Sequence, residues 1–100
     1  MTQDQKRLFI ERRSRPTKEV IADLPEAIRP HAYIVGAWVW VQFDSKPNTE
    51  IIARLKEQGF TWNNRRKVWQ NPCGVFRPAS SDDPRGRYGM IPVDQESEAA

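Results

Sequence analysis

Residues 36–72 read GAWVWVQFDSKPNTEIIARLKEQGFTWNNRRKVWQNP, and this stretch decides the fold. Two runs rich in β-branched and aromatic side chains, which favour strands, enclose a segment with helical spacing. The resulting order is strand, helix, strand, strand. It predicts an α+β domain with a small sheet of about three strands and one main helix packed on one face.

The first strand is expected over residues 32–43, AYIVGAWVWVQF. Gly36 interrupts this run, and we interpret it as a bulge or bend within a single strand. Because side chains alternate across a strand, Val39 and Val41 share one face while Trp38 and Trp40 share the other. Both faces are apolar, so the strand is either buried on both sides or presents one face as a working surface.

The main helix is expected over residues 48–58. Asn48 is a favourable N-cap, since its side-chain oxygen can accept from a first-turn N–H. Gly59 suits the left-handed position that ends a helix, and Phe60 then folds back over Leu55. These signals predict both ends of the helix.

A hairpin is expected over residues 60–70. Asn63 and Asn64 supply its turn, because asparagine tolerates positive φ and bonds to its own backbone. Trp62 and Trp69 then face each other across the two strands, a pairing that fixes register. We expect both of these tryptophans to belong to the core.

The chain of 100 residues has room for one small domain, predicted over residues 17–78. A short helix between Pro16 and Pro25 opens that domain, since proline favours the first turn and disfavours the interior of a helix. Residues 1–16 read as a flexible basic segment. Residues 79–100 contain few core-forming side chains and are predicted to be a disordered tail.

Composition excludes several classes of protein. A single cysteine excludes an intramolecular disulfide, and one cysteine with one histidine falls short of the usual structural zinc sets. Because no catalytic constellation includes His31 or Cys73, the sequence indicates no enzyme, metal or cofactor. Neither a membrane-spanning apolar run nor a secretory signal is visible, so we expect a cytoplasmic protein.

The charge distribution points to nucleic acid. The net charge is +3, and residues 60–79 contain four Lys or Arg and no acid. Basic patches beside aromatic rings are typical of nucleic-acid surfaces, where rings stack on bases and cations follow phosphates. The sequence therefore predicts a module that binds single-stranded or structured nucleic acid. The predicted site residues are Trp38, Trp40, Lys46, Arg65, Arg66 and Lys67.

Two alternatives remain open. The indoles of Trp38 and Trp40 belong to the core if the short N-terminal helix covers them with Val20, Ile21 and Leu24. Otherwise, the two-sided apolar strand is a docking face for a protein partner or a second copy of the chain.

The same stretch resembles a small bacterial and phage domain of unknown function, some copies of which are attached to DnaJ-like proteins. That pattern is a G-x-W-x-W-V strand, a helix ending L-K-x-x-G-F, a tryptophan, a basic turn and a second tryptophan. The resemblance implies the fold and carries no activity. A weaker similarity is to the HARP-type module of annealing helicases, which has a basic hairpin ending in tryptophan. The positions shared with the first pattern are Gly36, Trp38, Trp40, Val41, Leu55, Lys56, Gly59, Phe60, Trp62, Lys67 and Trp69.

Overall fold

The computed structural model describes residues 2–76 and 84–93. Helices and strands alternate irregularly along these ranges, as expected for an α+β domain. In chain order the elements are α1 (Gln3–Arg13), α2 (Thr17–Ala22), a 3-10 turn (Arg29–His31), β1 (Ala32–Val35), β2 (Trp38–Val41), α3 (Thr49–Glu57), β3 (Thr61–Asn63), β4 (Val68–Asn71), α4 (Pro84–Tyr88) and β5 (Ile91–Pro92).

The strands form one sheet in the order β3-β4-β2-β1-β5, and every neighbouring pair is antiparallel. The predicted α+β class is confirmed. The prediction of about three strands is too low, because the described residues contribute five. Both extra strands have a physical origin that the sequence pattern did not reveal.

The first extra strand arises at Gly36. Residues 32–43 are not one bulged strand but a hairpin, in which β1 and β2 pair through Val35 and Trp38 across a two-residue turn. Gly36 has φ 64°, the positive value that a tight hairpin turn needs at its first central position. The glycine therefore reverses the chain where a bend was predicted.

The second extra strand lies in the predicted tail. Residues 84–93 form α4 and β5, and β5 pairs with β1 through Ile34 and Ile91. Disorder is therefore wrong for this part of the chain; positions 79–83 and 94–100 of that prediction lie outside the described residues. The segment folds because it pairs with β1 and buries Val93 and most of Met90.

The N-terminal segment, predicted to be flexible, contains the helix α1. A capping box begins α1, with Thr2 and Gln5 each accepting from the other's backbone N–H. At its other end the carbonyl oxygen of Arg12 accepts from Asn71 Nδ2 at 3.3 Å, and that of Arg13 accepts from the Gly74 N–H at 2.8 Å. These bonds attach α1 to the domain by its last turn.

The main helix and its ends agree with the prediction. Asn48 Oδ1 accepts from the Ile51 N–H at 2.9 Å, which makes it the N-cap of α3. Gly59 has φ 87°, and the Phe60 N–H returns to the Leu55 carbonyl at 2.9 Å. Local capping chemistry therefore fixes this element.

Buried side chains lie on both faces of the sheet. Val39 and Val41 pack with Leu55 of α3 and Val20 of α2 on the helix-bearing face. The opposite face carries a smaller cluster of Val35, Trp40 and Val68, with Trp38 and Met90 packed against it. The predicted alternation along β2 is confirmed, and both of its faces are covered within the chain.

Candidate functional site

Trp40 does not present its ring to solvent. Its exposed fraction is 0%, and the guanidinium of Arg85 lies over the ring at 5.4 Å from the centroid. Trp38 is half-buried, and its Nε1 donates to the Val75 carbonyl at 2.6 Å. The prediction that these indoles form an open stacking face is therefore wrong for Trp40. The cover comes from residues 84–93, whereas α2 packs on the other face of the sheet.

The basic hairpin has the predicted turn chemistry. Asn63 Oδ1 accepts from the backbone N–H groups of Arg65 and Arg66, each at 3.0 Å. Lys67 closes the loop with φ 60°, and its N–H donates to the Asn63 carbonyl at 2.7 Å. Asn64 accepts from Lys67 Nζ at 3.0 Å. The loop geometry is thus set by asparagine side chains.

An open groove of about 890 Å³ lies on the helix-bearing face, beside β3 and β4. We call it the aromatic groove. Five rings line it, contributed by segments that are distant in sequence: Phe9, Phe43, Phe60, Trp62 and Trp69. Its charged lining residues are Lys46, Lys56, Lys67 and Asp44.

The most accessible indole in this groove is Trp62, whose exposed fraction is 48%. It stands directly opposite Trp69, with ring centroids 5.5 Å apart and planes tilted by 57°. The predicted cross-strand pair is confirmed, and Trp69 is buried as expected. Placing Trp62 in the core is wrong, because it lies on β3, the edge strand of the described sheet, and its ring stays half-exposed.

The electrostatics of the groove favour an anion. Three lysines and one aspartate line it. None of Lys46, Lys56 and Lys67 forms an ion pair with a carboxylate in the part of the chain that the structure describes. Among the described lining residues, positive charges therefore outnumber negative ones by three to one, which favours an anionic ligand.

The predicted site residues divide between two faces. Lys46 and Lys67 both line the aromatic groove, while Arg65 and Arg66 sit on the adjoining hairpin loop. Trp38 and Trp40 lie on the opposite face of the sheet and are not brought together with these cations. Trp62 was not among the predicted site residues. The available signal was its position on a short hairpin whose loop contains three cations.

Two side chains considered for catalysis are engaged in the structure. The His31 ring packs against Phe43 at 4.7 Å between centroids. Cys73 is buried, and burial raises the pKa of its thiol, so the nucleophilic thiolate is disfavoured. Over residues 2–76 and 84–93, no group of three or more His, Cys, Asp or Glu is arranged to hold a metal ion. Within the same ranges, no helix combines the length and apolarity needed to cross a bilayer.

Comparisons with protein-family models, with curated proteins and with solved structures found no match. The resemblance to the bacterial and phage domain therefore stays a prediction.

Proposed function

We propose that this chain is a small, non-catalytic module that binds single-stranded nucleic acid in the aromatic groove. The observation that carries the proposal is Trp62: an indole that is 48% exposed, at the edge of a groove lined by three lysines. A stacking surface and cations without carboxylate partners are the two components of sequence-tolerant single-strand binding.

The groove is large enough to admit a nucleobase, and its lining has the chemistry to bind one. Its volume of about 890 Å³ falls within the range of small-ligand sites, which is roughly 300–1,000 Å³. A base inserted beside Trp62 stacks on the indole and displaces water from the apolar lining. The ammonium groups of Lys46, Lys56 and Lys67 then lie on the lining, where they can meet the phosphates that flank that base.

The hairpin loop extends this field beyond the groove. Arg65 and Arg66 follow Trp62 in the chain, and residues 60–79 contain no acid. Such a patch attracts a polyanion before contact and raises the rate of association. In this arrangement Trp62 takes the stacking role that the sequence assigned to Trp38 and Trp40.

The test is fluorescence anisotropy with two labelled probes, a thymidine dodecanucleotide and a uridine dodecanucleotide. Each is measured at about 20 mM and at about 200 mM salt. Stacking of one base contributes roughly 1–3 kcal/mol, so Trp62→Ala should weaken binding by about fivefold to over a hundredfold. Trp62→Phe keeps a ring and should retain most of the affinity. Absence of binding by the wild-type chain at low salt overturns the proposal.

A second candidate, docking of a protein segment, has one observation in its favour. The edge strand β3 borders the groove, and an extended peptide could add to it while its apolar side chains enter the groove. Binding of that kind depends little on salt, whereas phosphate contacts give a steep dependence. Self-association through β2 was proposed because both faces of this strand are apolar. That reason no longer applies, since Val39 and Trp40 are each buried within the chain.

A further inference from the structure

We infer that the nucleic-acid site continues from the aromatic groove onto α1, across a stack of Phe9, Arg13 and Phe76, so that one bound strand contacts both platforms. The inference rests on the proposed function and adds to it the length of strand that the module recognises. It assigns a second stacking ring, Phe76, and adds Arg13 to the three lysines of the groove.

The geometry of the stack links it directly to the groove. Phe9 lines the groove, and the guanidinium of Arg13 lies 5.0 Å from its ring centroid. The same guanidinium lies 5.7 Å from the centroid of Phe76, whose exposed fraction is 57%. Both distances are within the range of cation–π contact. Aromatic surface therefore continues past Arg13 to a ring that is open to solvent.

Arg13 is a cation held by rings rather than by a carboxylate. No acidic side chain forms an ion pair with it among the described residues, and its Nε is buried without a hydrogen-bond acceptor. An arginine stays charged in proteins, so the stack carries a positive charge that no carboxylate of residues 2–76 or 84–93 pairs with. Guanidinium groups stacked on aromatic rings bind phosphate well, because the planar fork presents several N–H donors.

The stack has a fixed position on the domain. The carbonyl of Arg13 accepts from the Gly74 N–H at 2.8 Å, and that of Arg12 accepts from Asn71 Nδ2 at 3.3 Å. Phe76 follows Gly74 by two residues, so the same attachment positions both ends of the stack. A platform held in this way loses little conformational freedom when a base stacks on it.

The experiment compares thymidine oligonucleotides of four, eight and twelve nucleotides by anisotropy, using the full chain. A long oligonucleotide offers several registers to a short site, so the measure is the ratio of variant to wild-type affinity at each length. Phe76→Leu should lower the affinity for the dodecanucleotide by about fivefold or more and leave the tetranucleotide unchanged. Phe76→Trp should retain the wild-type affinity at every length.

Two controls separate stacking from loss of structure. Val75 is an exposed apolar neighbour without a ring, and Val75→Ala should change no affinity. The melting temperature of Phe76→Leu should fall by no more than a few degrees, because the ring is 57% exposed and loses only its contact with Arg13. If Phe76→Leu affects no length while Trp62→Ala weakens the tetranucleotide, the extension is overturned and the groove stands. If the wild-type chain binds no oligonucleotide, the proposed function falls and the extension with it.

Discussion

The guanidinium of Arg85 lies 5.4 Å from the ring centroid of Trp40, and that ring is completely buried. Met90, which directly precedes β5, packs against the cluster that contains Trp40. A cation over an indole adds about 0.5–2 kcal/mol, and the larger contribution comes from the apolar area that the cover removes from water. Residues 84–93 therefore contribute Val93 to the core and cover Trp40 with Arg85 and Met90.

The two tryptophans Trp40 and Trp62 should respond very differently to truncation. Trp40→Ala leaves a cavity in the sealed cluster, and we expect the free energy of unfolding to fall by about 3–5 kcal/mol. Trp62→Ala removes a half-exposed ring that contacts Trp69, and the expected loss is about 1–2 kcal/mol. Urea unfolding followed by circular dichroism measures both.

Trp40→Phe keeps this comparison usable if Trp40→Ala does not fold. The indole N–H of Trp40 is buried without an acceptor among the described residues. Replacing Trp40 by phenylalanine therefore reduces the ring volume but breaks no hydrogen bond to those residues. Its stability should fall between those of the wild type and Trp40→Ala. Equal losses for Trp40→Ala and Trp62→Ala contradict the assignment of one ring to the core and the other to the groove.

Local chemistry explains which parts of the fold the sequence could predict. Asn48, Gly59 and the Trp62–Trp69 pair each act within a few residues along the chain or across one turn, and the structure confirms all of them. Gly36 was ambiguous, because a glycine with positive φ serves a bulge and a hairpin turn equally well. The sequence pattern alone did not decide between those two geometries.

Long-range pairing explains what the sequence could not predict. Residues 84–93 have the composition of a tail, and their pairing with β1 depends on an edge that exists only in the folded sheet. The aromatic groove is similarly assembled from Phe9, Phe43 and Trp62, which share no local pattern. Lys46 and Lys67 belong to both the predicted site and the groove, since the hairpin and the turn before α3 meet there.

Gly59 should tolerate a side chain poorly. It has φ 87°, and a Cβ placed there would lie 2.8 Å from the carbonyl carbon and oxygen of Arg12. Gly59→Ala therefore strains the backbone and displaces the last turn of α1. We expect the free energy of unfolding to fall by at least about 1–3 kcal/mol. Thermal unfolding measures the change.

Gly86 provides the matched control for that substitution. It lies in α4, and a Cβ there would meet nothing within 4 Å. Gly86→Ala should leave the stability unchanged or raise it by roughly 0.5–1 kcal/mol, because alanine loses less entropy than glycine in a helix. If Gly59→Ala and Gly86→Ala lower the free energy of unfolding equally, the close approach of Arg12 to Gly59 does not explain the loss.

The buried thiol of Cys73 should make stability depend on pH in the alkaline range. Burial raises the pKa of this thiol above that of the unfolded chain, which is about 8.5. The folded state then holds the proton more tightly, so the stabilisation is complete below that pH. It declines, by up to about 1.4 kcal/mol per pH unit, as the pH rises from there towards the folded-state pKa.

Cys73→Ala isolates this effect, because every other ionisable group is common to both proteins and its contribution cancels in the difference. Both residues also adopt the same positive φ, 51° in the wild type, so backbone strain cancels too. We expect the wild-type advantage in unfolding free energy to stay constant up to about pH 8 and to shrink above it. If the difference in unfolding free energy between the wild type and Cys73→Ala increases with pH, the thiol of Cys73 is not buried in its neutral form.

Lys67 offers the sharpest test of the charges in the groove. It occupies the left-handed region with φ 60°, which asparagine tolerates well. Lys67→Asn therefore removes the charge and preserves the turn. For single strands, each phosphate contact contributes about 0.7 to the slope of log affinity against log salt, so the slope should fall by about that amount. Lys46→Gln and Lys56→Gln should each lower it similarly.

Lys18 is the control for these lysine variants, since it is exposed on α2 and does not line the groove. Lys18→Gln should leave the salt slope unchanged while altering the net charge by the same amount as the groove variants. If all four substitutions lower the slope equally, the binding reflects overall charge and not the groove. A loss of slope confined to Lys46, Lys56 and Lys67 locates the phosphates beside Trp62, because these lysines share its groove.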